Sequence, residues 1–312
     1  MKPRRQLNLT GLRVLDGGLA TELEAEGCDI SGPLWSGHVL REHPEKIEAL
    51  HLTYLLSGAD CISTASYQIS REGFFEIGLT EAEAIEALRL SVDLAERACT
   101  KFHQKYRRPV WLAASLGPYG AALHNGAEYH GKYSIDQAAL TAFHQRRIRA
   151  LATTKADFLL FETVPSLDEA RAIVTALAGA PDIAAAISFT CKDDHRTAHG
   201  EDIAECAAVL DRCEQLIAIG LNCFAPALGV PLLRRLRSAT TKKIAVYPNS
   251  GEKWDADSRS WSASAHQDAG QNPLDHWKLL TRKWRDAGAD WIGGCCRTGP
   301  AHIQATRAAL GA

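Results

Sequence analysis

Cys295 and Cys296 stand side by side at the end of the apolar run "WIGGCC" (291–296), and Cys223 ends another, "LIAIGLNC" (216–223). Adjacent cysteines are too close for an unstrained disulfide with each other. Successive strand residues also point to opposite faces. Two sulfurs wanted in one place suggest a metal. Zn²⁺ takes Cys thiolates in a tetrahedral shell, and catalytic zinc commonly has three protein ligands and one open position. Gly293 and Gly294 fit this reading by letting the backbone twist until both side chains reach one ion. A redox-active vicinal pair and simple core burial compete with it. For Cys61, Cys99, Cys191, Cys206 and Cys213 burial is the expectation.

Three such sulfurs meet only if the surrounding elements bring them together. Strand-like runs occur at 13–18, 61–66, 110–115, 158–163, 183–190, 216–223, 244–249 and 291–296. Most are continuously apolar, as parallel strands buried on both faces should be. Helix starts lie between them: Thr80 with Glu83, Ser134 with Gln137 and Ser166 with Glu169 fit capping boxes, and Asn272-Pro273 fits a cap before a first-turn proline. Eight strand-then-helix units predict a (β/α)₈ TIM barrel, with a doubly wound open sheet as the alternative. Two features favour the barrel. "SGADCISTAS", "TKADFLLFET" and "AGADWIGGCC" form a weak internal echo. The strand-to-helix connections 17–44, 67–79, 117–133, 191–200 and 250–271 are long, whereas helix-to-strand connections are short. In a barrel the long loops gather at the C-terminal face, where active sites lie. Runs six and eight, one strand apart, would present their cysteines there.

The chain of 312 residues reads as one domain over 1–312, with 1–12 an N-terminal extension. A hydrophobic content of 46% supplies a sizeable core, and a formal charge of -2 gives no basic surface for nucleic acid or membranes. The start "MKPRRQLNLT" leads into no apolar segment, so neither a secretory signal nor a membrane span is expected. Nine cysteines without an export signal point to a reducing cytoplasm and free or metal-bound thiols.

The phrases "DGGLATELE" (16–24), "DCISTASYQ" (60–68), "FETVPS" (161–166), "GLNC" (220–223), "YPNSGE" (247–252) and "GGCCRT" (293–298) resemble the homocysteine S-methyltransferase family. "GPLWSGHVL" (32–40) and "SLGPYGA" (115–121) are similar to its members that use S-methylmethionine or S-adenosylmethionine. The resemblance runs from about Arg13 to the C-terminus. It implies a zinc-dependent (β/α)₈ barrel with Cys223, Cys295 and Cys296 as zinc ligands. It also places Asp16, Gly17, Thr64 and Glu162 around homocysteine. The expected partners are therefore homocysteine and a sulfonium methyl donor, with no nucleic acid and no membrane.

Each of these residues has a plainer role beside the chemical one. Glu162 at a strand end is expected to bind the substrate ammonium, although a charge before the Ser166 helix start also fits. Asp16 is expected to do the same, or to brace a tight turn. Thr64 and Ser66 either donate to the substrate carboxylate or are ordinary strand residues. Trp35, Tyr67 and Tyr119 either wall a sulfonium pocket or pack the loops. Asn249 either caps the vacant metal position or bonds its own loop. Loop histidines His124, His130, His195 and His199 show no ligand spacing. Betaine-using relatives carry an aromatic residue after the strand-four Glu. Thr163 stands there, and Gln68 follows Tyr67, so S-methylmethionine is the first expected donor and S-adenosylmethionine the second. Two further alternatives remain: a zinc-free barrel that binds phosphate at Gly293-Gly294, and a non-catalytic zinc site completed by Cys191.

Overall fold

The eight apolar runs become eight parallel strands in a computed structural model, which describes residues 7, 9–32, 34–255, 260–262 and 272–311. They are β1 (Arg13–Val14), β2 (Cys61–Ser63), β3 (Trp111–Leu116), β4 (Phe158–Val164), β5 (Ala184–Phe189), β6 (Leu216–Asn222) and β7 (Lys243–Tyr247). A short antiparallel hairpin follows, β8 (Lys253–Asp255) with β9 (Ser260–Ser262), and β10 (Trp291–Ile292) is the eighth strand of the sheet. The sheet order β1-β10-β7-β6-β5-β4-β3-β2 follows the chain. A parallel bridge from Leu15 to Cys61 and the Asp60 amide donating to the Val14 carbonyl at 2.6 Å draw β1 against β2. A doubly wound sheet reverses its order at a switch point; this one does not, and the fold is a (β/α)₈ barrel.

The alternation within each strand sorts residues into two cores. Leu112, Ala114, Leu159, Phe161, Ile219, Leu221, Ile244 and Val246 face the helices. Leu15, Cys61, Trp111, Ala113, Phe158, Leu160, Ala186, Ala218, Ala245, Tyr247 and Trp291 face inward. Trp111, Phe158 and Trp291 fill the N-terminal end, with centroids 5.4 to 6.4 Å apart. Burying one such ring contributes about 2 kcal/mol. Above them Ala113, Ala186, Ala218 and Ala245 pack the inward positions, and the pocket at the C-terminal mouth lies beyond them.

Helix starts follow local hydrogen bonding. Thr80 and Glu83 form the expected reciprocal box. Asn272 accepts from the Leu274 amide ahead of Pro273. Ser134 is not a cap: Asp136 takes that place by accepting from the Ala139 amide at 2.7 Å. A carboxylate two residues closer to the helix outcompetes the serine. Ser166 caps its helix, but Glu169 turns away from it into a buried network. Of the long loop 250–271, residues 256–259 and 263–271 lie outside the described residues. Among the described residues no helix is long and apolar enough to cross a membrane.

Candidate metal and substrate site

Alternation alone would send Asn222 into the barrel and Cys223 out towards the helices. Cys223 instead has φ +54°, in the left-handed region that non-glycine residues rarely adopt. That turn brings its sulfur into the same pocket as Asn222. The end of β7 then sets the spacing of the two cysteine segments. The Tyr247 carbonyl accepts from the Cys223 amide at 3.3 Å, and the Pro248 carbonyl accepts from the Cys295 amide at 2.8 Å. Asn249 completes the strap, its Oδ1 accepting from the Cys296 amide at 3.2 Å.

The three sulfurs converge as a result. Cys223 Sγ lies 3.8 Å from Cys296 Sγ, and Cys295 Sγ lies 4.0 Å from Cys296 Sγ. All three fall within 4.8 Å of one another. Cys295 and Cys296 donate towards Cys223 and hold its thiol well below the ordinary range, while the pair itself is pushed up by sharing with Cys223. Cys191 does not join the cluster; it is buried beside Cys206 and Asp193, and burial pushes its thiol up. Tyr129, from the loop after β3, brings its hydroxyl to 3.5 Å from Cys223 Sγ.

A pocket of about 830 Å³, open mouth included, lies over this cluster. Asp16, Gly17, Thr64, Tyr67, Glu162 and all three cysteines line it, together with Trp35. Asp16 accepts from the Ser63 amide at 2.6 Å and from the Ser63 hydroxyl at 3.1 Å. Burial nevertheless lifts its carboxyl to about 8, and nearby Glu162 adds to the rise. Glu162 accepts from the Ser115 hydroxyl, yet burial lifts it to about 7. Two carboxyls without a cationic partner are thus held at one end of the pocket. Among its described lining residues there is no lysine, arginine or histidine.

Several expectations change in detail. Ser66 donates to the Ser115 carbonyl at 2.7 Å, so the 2.5 Å contact between Thr64 and Ser66 has Thr64 as the donor. The Thr64 hydroxyl also accepts from the Ser115 amide. Thr64 lines the pocket, but its proton is committed, and Ser66 lies behind the wall. Tyr119 packs on Tyr133 and Phe143 instead of lining the pocket. Asn249 sits beneath the cysteines and is not part of the pocket lining. Gly293 and Gly294 serve close packing and not the twist expected of them. A Cβ on Gly294 would meet Thr298 Oγ1 at 2.2 Å, and one on Gly293 would meet Leu15 at 2.6 Å. Their amides donate to the Val246 and Asp16 carbonyls, which leaves no phosphate cradle. Gly17 is likewise crowded, since a Cβ there would lie 2.2 Å from the Thr298 carbonyl. The loop histidines have local partners: His124 meets Gln68 and His199 meets Glu201, each at 2.8 Å.

Ser63, Ser115, Tyr129, Asn222 and Tyr247 also line the pocket and were not singled out from the sequence. Four of them are inward positions at the upper ends of β2, β3, β6 and β7. Asn222 bonds both ways with Thr163 and reaches Cys295 Sγ at 3.9 Å.

Fold and mouth together define a (β/α)₈ barrel with a candidate three-sulfur metal centre. The profile of the family described as homocysteine S-methyltransferase matches residues 13–310, and the chain belongs to that family. Homocysteine S-methyltransferase YbgG of Bacillus subtilis is 44% identical over 299 residues, 94% of this chain and 92% of the relative. Homocysteine S-methyltransferase 3 of Arabidopsis thaliana is 43% identical over 312 residues, 95% and 88% of the two chains. The crystal structure of the Escherichia coli homocysteine methyltransferase MmuM in its metallated form superposes with a TM-score of 0.85 at 37% identity, covering 96% of each chain.

Proposed function

We propose that this chain moves a methyl group from a sulfonium donor to the sulfur of L-homocysteine, giving methionine. S-methylmethionine is the first donor and S-adenosylmethionine the second, and Zn²⁺ is held by Cys223, Cys295 and Cys296. One observation carries the reading: three sulfurs from two strand ends converge in a pocket whose charged lining is acidic. The spacing suits zinc, since tetrahedral bonds of about 2.3 Å separate sulfurs by about 3.8 Å. Bound zinc would supply a homocysteine thiolate at neutral pH, where a free thiol is mostly protonated.

The chain's own residues do the rest. Asp16 and Glu162 receive the homocysteine ammonium; both carboxyls ionise when that cation arrives, because an opposite charge favours their charged form. Ser63 and Ser115 aim the two carboxylates by donating to them. Gly17 allows the Asp16 turn to close on Thr298, and Thr64 stiffens the wall between β2 and β3. Asn249 fixes the backbone of Cys296 and thereby the direction of its sulfur. Trp35 and Tyr67, with centroids 6.5 Å apart, face the sulfonium across the pocket. In the transfer the donor's S–CH₃ bond breaks as the homocysteine S–CH₃ bond forms, and the donor leaves as a neutral thioether. In-line placement of the two sulfurs is the main demand on the pocket.

Thr163 supports a sulfonium over betaine. It donates its amide to Asn222 at 2.7 Å and adds no aromatic face beside Glu162. None of the nine cysteines is joined in a disulfide, which accords with the cytoplasm as the setting. We take 1–312 as one homocysteine-binding domain, with 1–12 an extension. The test is methyl transfer to homocysteine with S-methylmethionine, S-adenosylmethionine and betaine in parallel. Methionine formed fastest from a sulfonium is the expected result. No methionine from any of the three overturns the reading.

A further inference from the structure

Glu128 is a half-buried acid that the mechanism above does not use. It lies on the short 3-10 turn Ala127–Tyr129, in the loop after β3. Its Oε2 is buried and has no hydrogen-bond partner. Burial lifts its carboxyl to about 7, with a further rise from Cys223. Burial pushes the hydroxyls of Tyr67 and Tyr133 up, and Cys223 that of Tyr129, with Glu128 a smaller contributor to each. Tyr67 and Tyr129 are pocket walls, whereas Glu128 does not line the pocket. A carboxyl with one buried, unpartnered oxygen therefore stands next to Tyr129 in the chain and outside the pocket lining, on the side where Tyr129 meets Cys223.

The position is built and not incidental. A Cβ on Gly120 would lie 2.4 Å from the Glu128 amide, so only glycine there lets the turn seat so closely. The same loop is tied down by Glu169, which accepts from the Tyr119 amide at 2.6 Å and from the Tyr133 hydroxyl at 2.8 Å. Glu169 also meets His144 at 3.0 Å, and Arg147 meets the Gly117 carbonyl at 2.8 Å. These contacts hold both ends of the loop and thereby fix the distance of Glu128 from the pocket.

We propose that Glu128 is a specificity-determining residue for the methyl donor, a carboxyl beside the Tyr129 wall whose charged form an arriving sulfonium favours and a neutral thioether does not. The inference rests on the donor proposed above. Coulomb attraction across a protein wall is not screened as it is in water. It acts fully on the bound cation and vanishes as the methyl leaves, since the sulfonium sulfur takes back the electron pair and becomes neutral. Glu128 thus tightens donor binding and lets the spent thioether go. A group that stabilises the cationic ground state more than the transition state lowers KM and does not raise kcat, so removing it raises KM with kcat unchanged or increased.

Glu128→Gln keeps the shape and removes the charge; Glu128→Asp keeps the charge on a shorter arm. Two readouts apply to the metal-loaded protein. The first is steady-state transfer from S-methylmethionine to homocysteine. Donor KM should rise about tenfold in Glu128→Gln, with kcat unchanged or raised and homocysteine KM held, and Glu128→Asp should recover part of the loss. The second is calorimetric binding of S-methylmethionine and of methionine, which needs no turnover. Glu128→Gln should weaken the first and leave the second unchanged. An unchanged donor KM, equal weakening for both ligands, or a fall in kcat alongside both KM values overturns the proposal. Absence of transfer from every donor in the wild-type protein is a different result, and it strikes the proposed function.

Discussion

Cys223 is the residue on which the site turns, because its left-handed backbone reverses the strand's alternation and sends sulfur inward. Replacing Cys223, Cys295 or Cys296 by Ser should remove both metal and transfer, with metal content read by elemental analysis. Glu162→Gln should leave the metal in place and weaken homocysteine about tenfold, the scale of a charged hydrogen bond; unchanged affinity takes Glu162 out of the site. Asp16 and Glu162 also set a pH dependence. Their folded carboxyls stand near 8 and 7 through burial, against about 4 in the unfolded chain. The folded state therefore binds these protons more tightly. The stability they contribute is complete at low pH and is lost as pH rises through about 7 and about 8. In metal-free protein, Asp16→Asn should lose less melting temperature than wild type between about pH 6 and about pH 9. Equal losses would mean that Asp16 is not the buried acid described.

Strands and loops carried unequal signals at the scale of the element. The three cysteines were legible because sulfur beside sulfur at a glycine-rich strand end is rare chemistry. Ser63, Ser115, Asn222 and Tyr247 were not, because parallel strands buried on both faces hide which phase points inward. Counting in twos from Trp111 reaches Ser115, and from Ala245 reaches Tyr247, but only the closed barrel identifies that phase as interior. Tyr129 depends on the path of the loop 117–133, which no local pattern states. That path is held by Glu169, His144 and Arg147, all buried. Glu169→Ala would leave His144 and the Tyr119 amide without their acceptor and should destabilise the protein by about 3 kcal/mol. Urea unfolding measures it, and a loss within error of zero would show that the loop is held by other means.

The whole molecule repeats a division of labour seen in its loops. Short helix-to-strand turns and a plug of Trp111, Phe158 and Trp291 close one end of the barrel. Long loops and polar strand ends open the other. This lopsidedness is readable from connection lengths alone, and the three sulfurs converge at the long-loop end. The closed, sequential strand order was less readable, since short β1 and β10 contribute only two residues each to the ladder. A structural metal site would require a fourth protein ligand, so Cys191→Ser should keep its metal in full. X-ray absorption at the zinc edge tests the central claim most directly. The account predicts three sulfur neighbours in the purified protein and four once homocysteine is added. Fewer than three, or a count that homocysteine leaves unchanged, would contradict it.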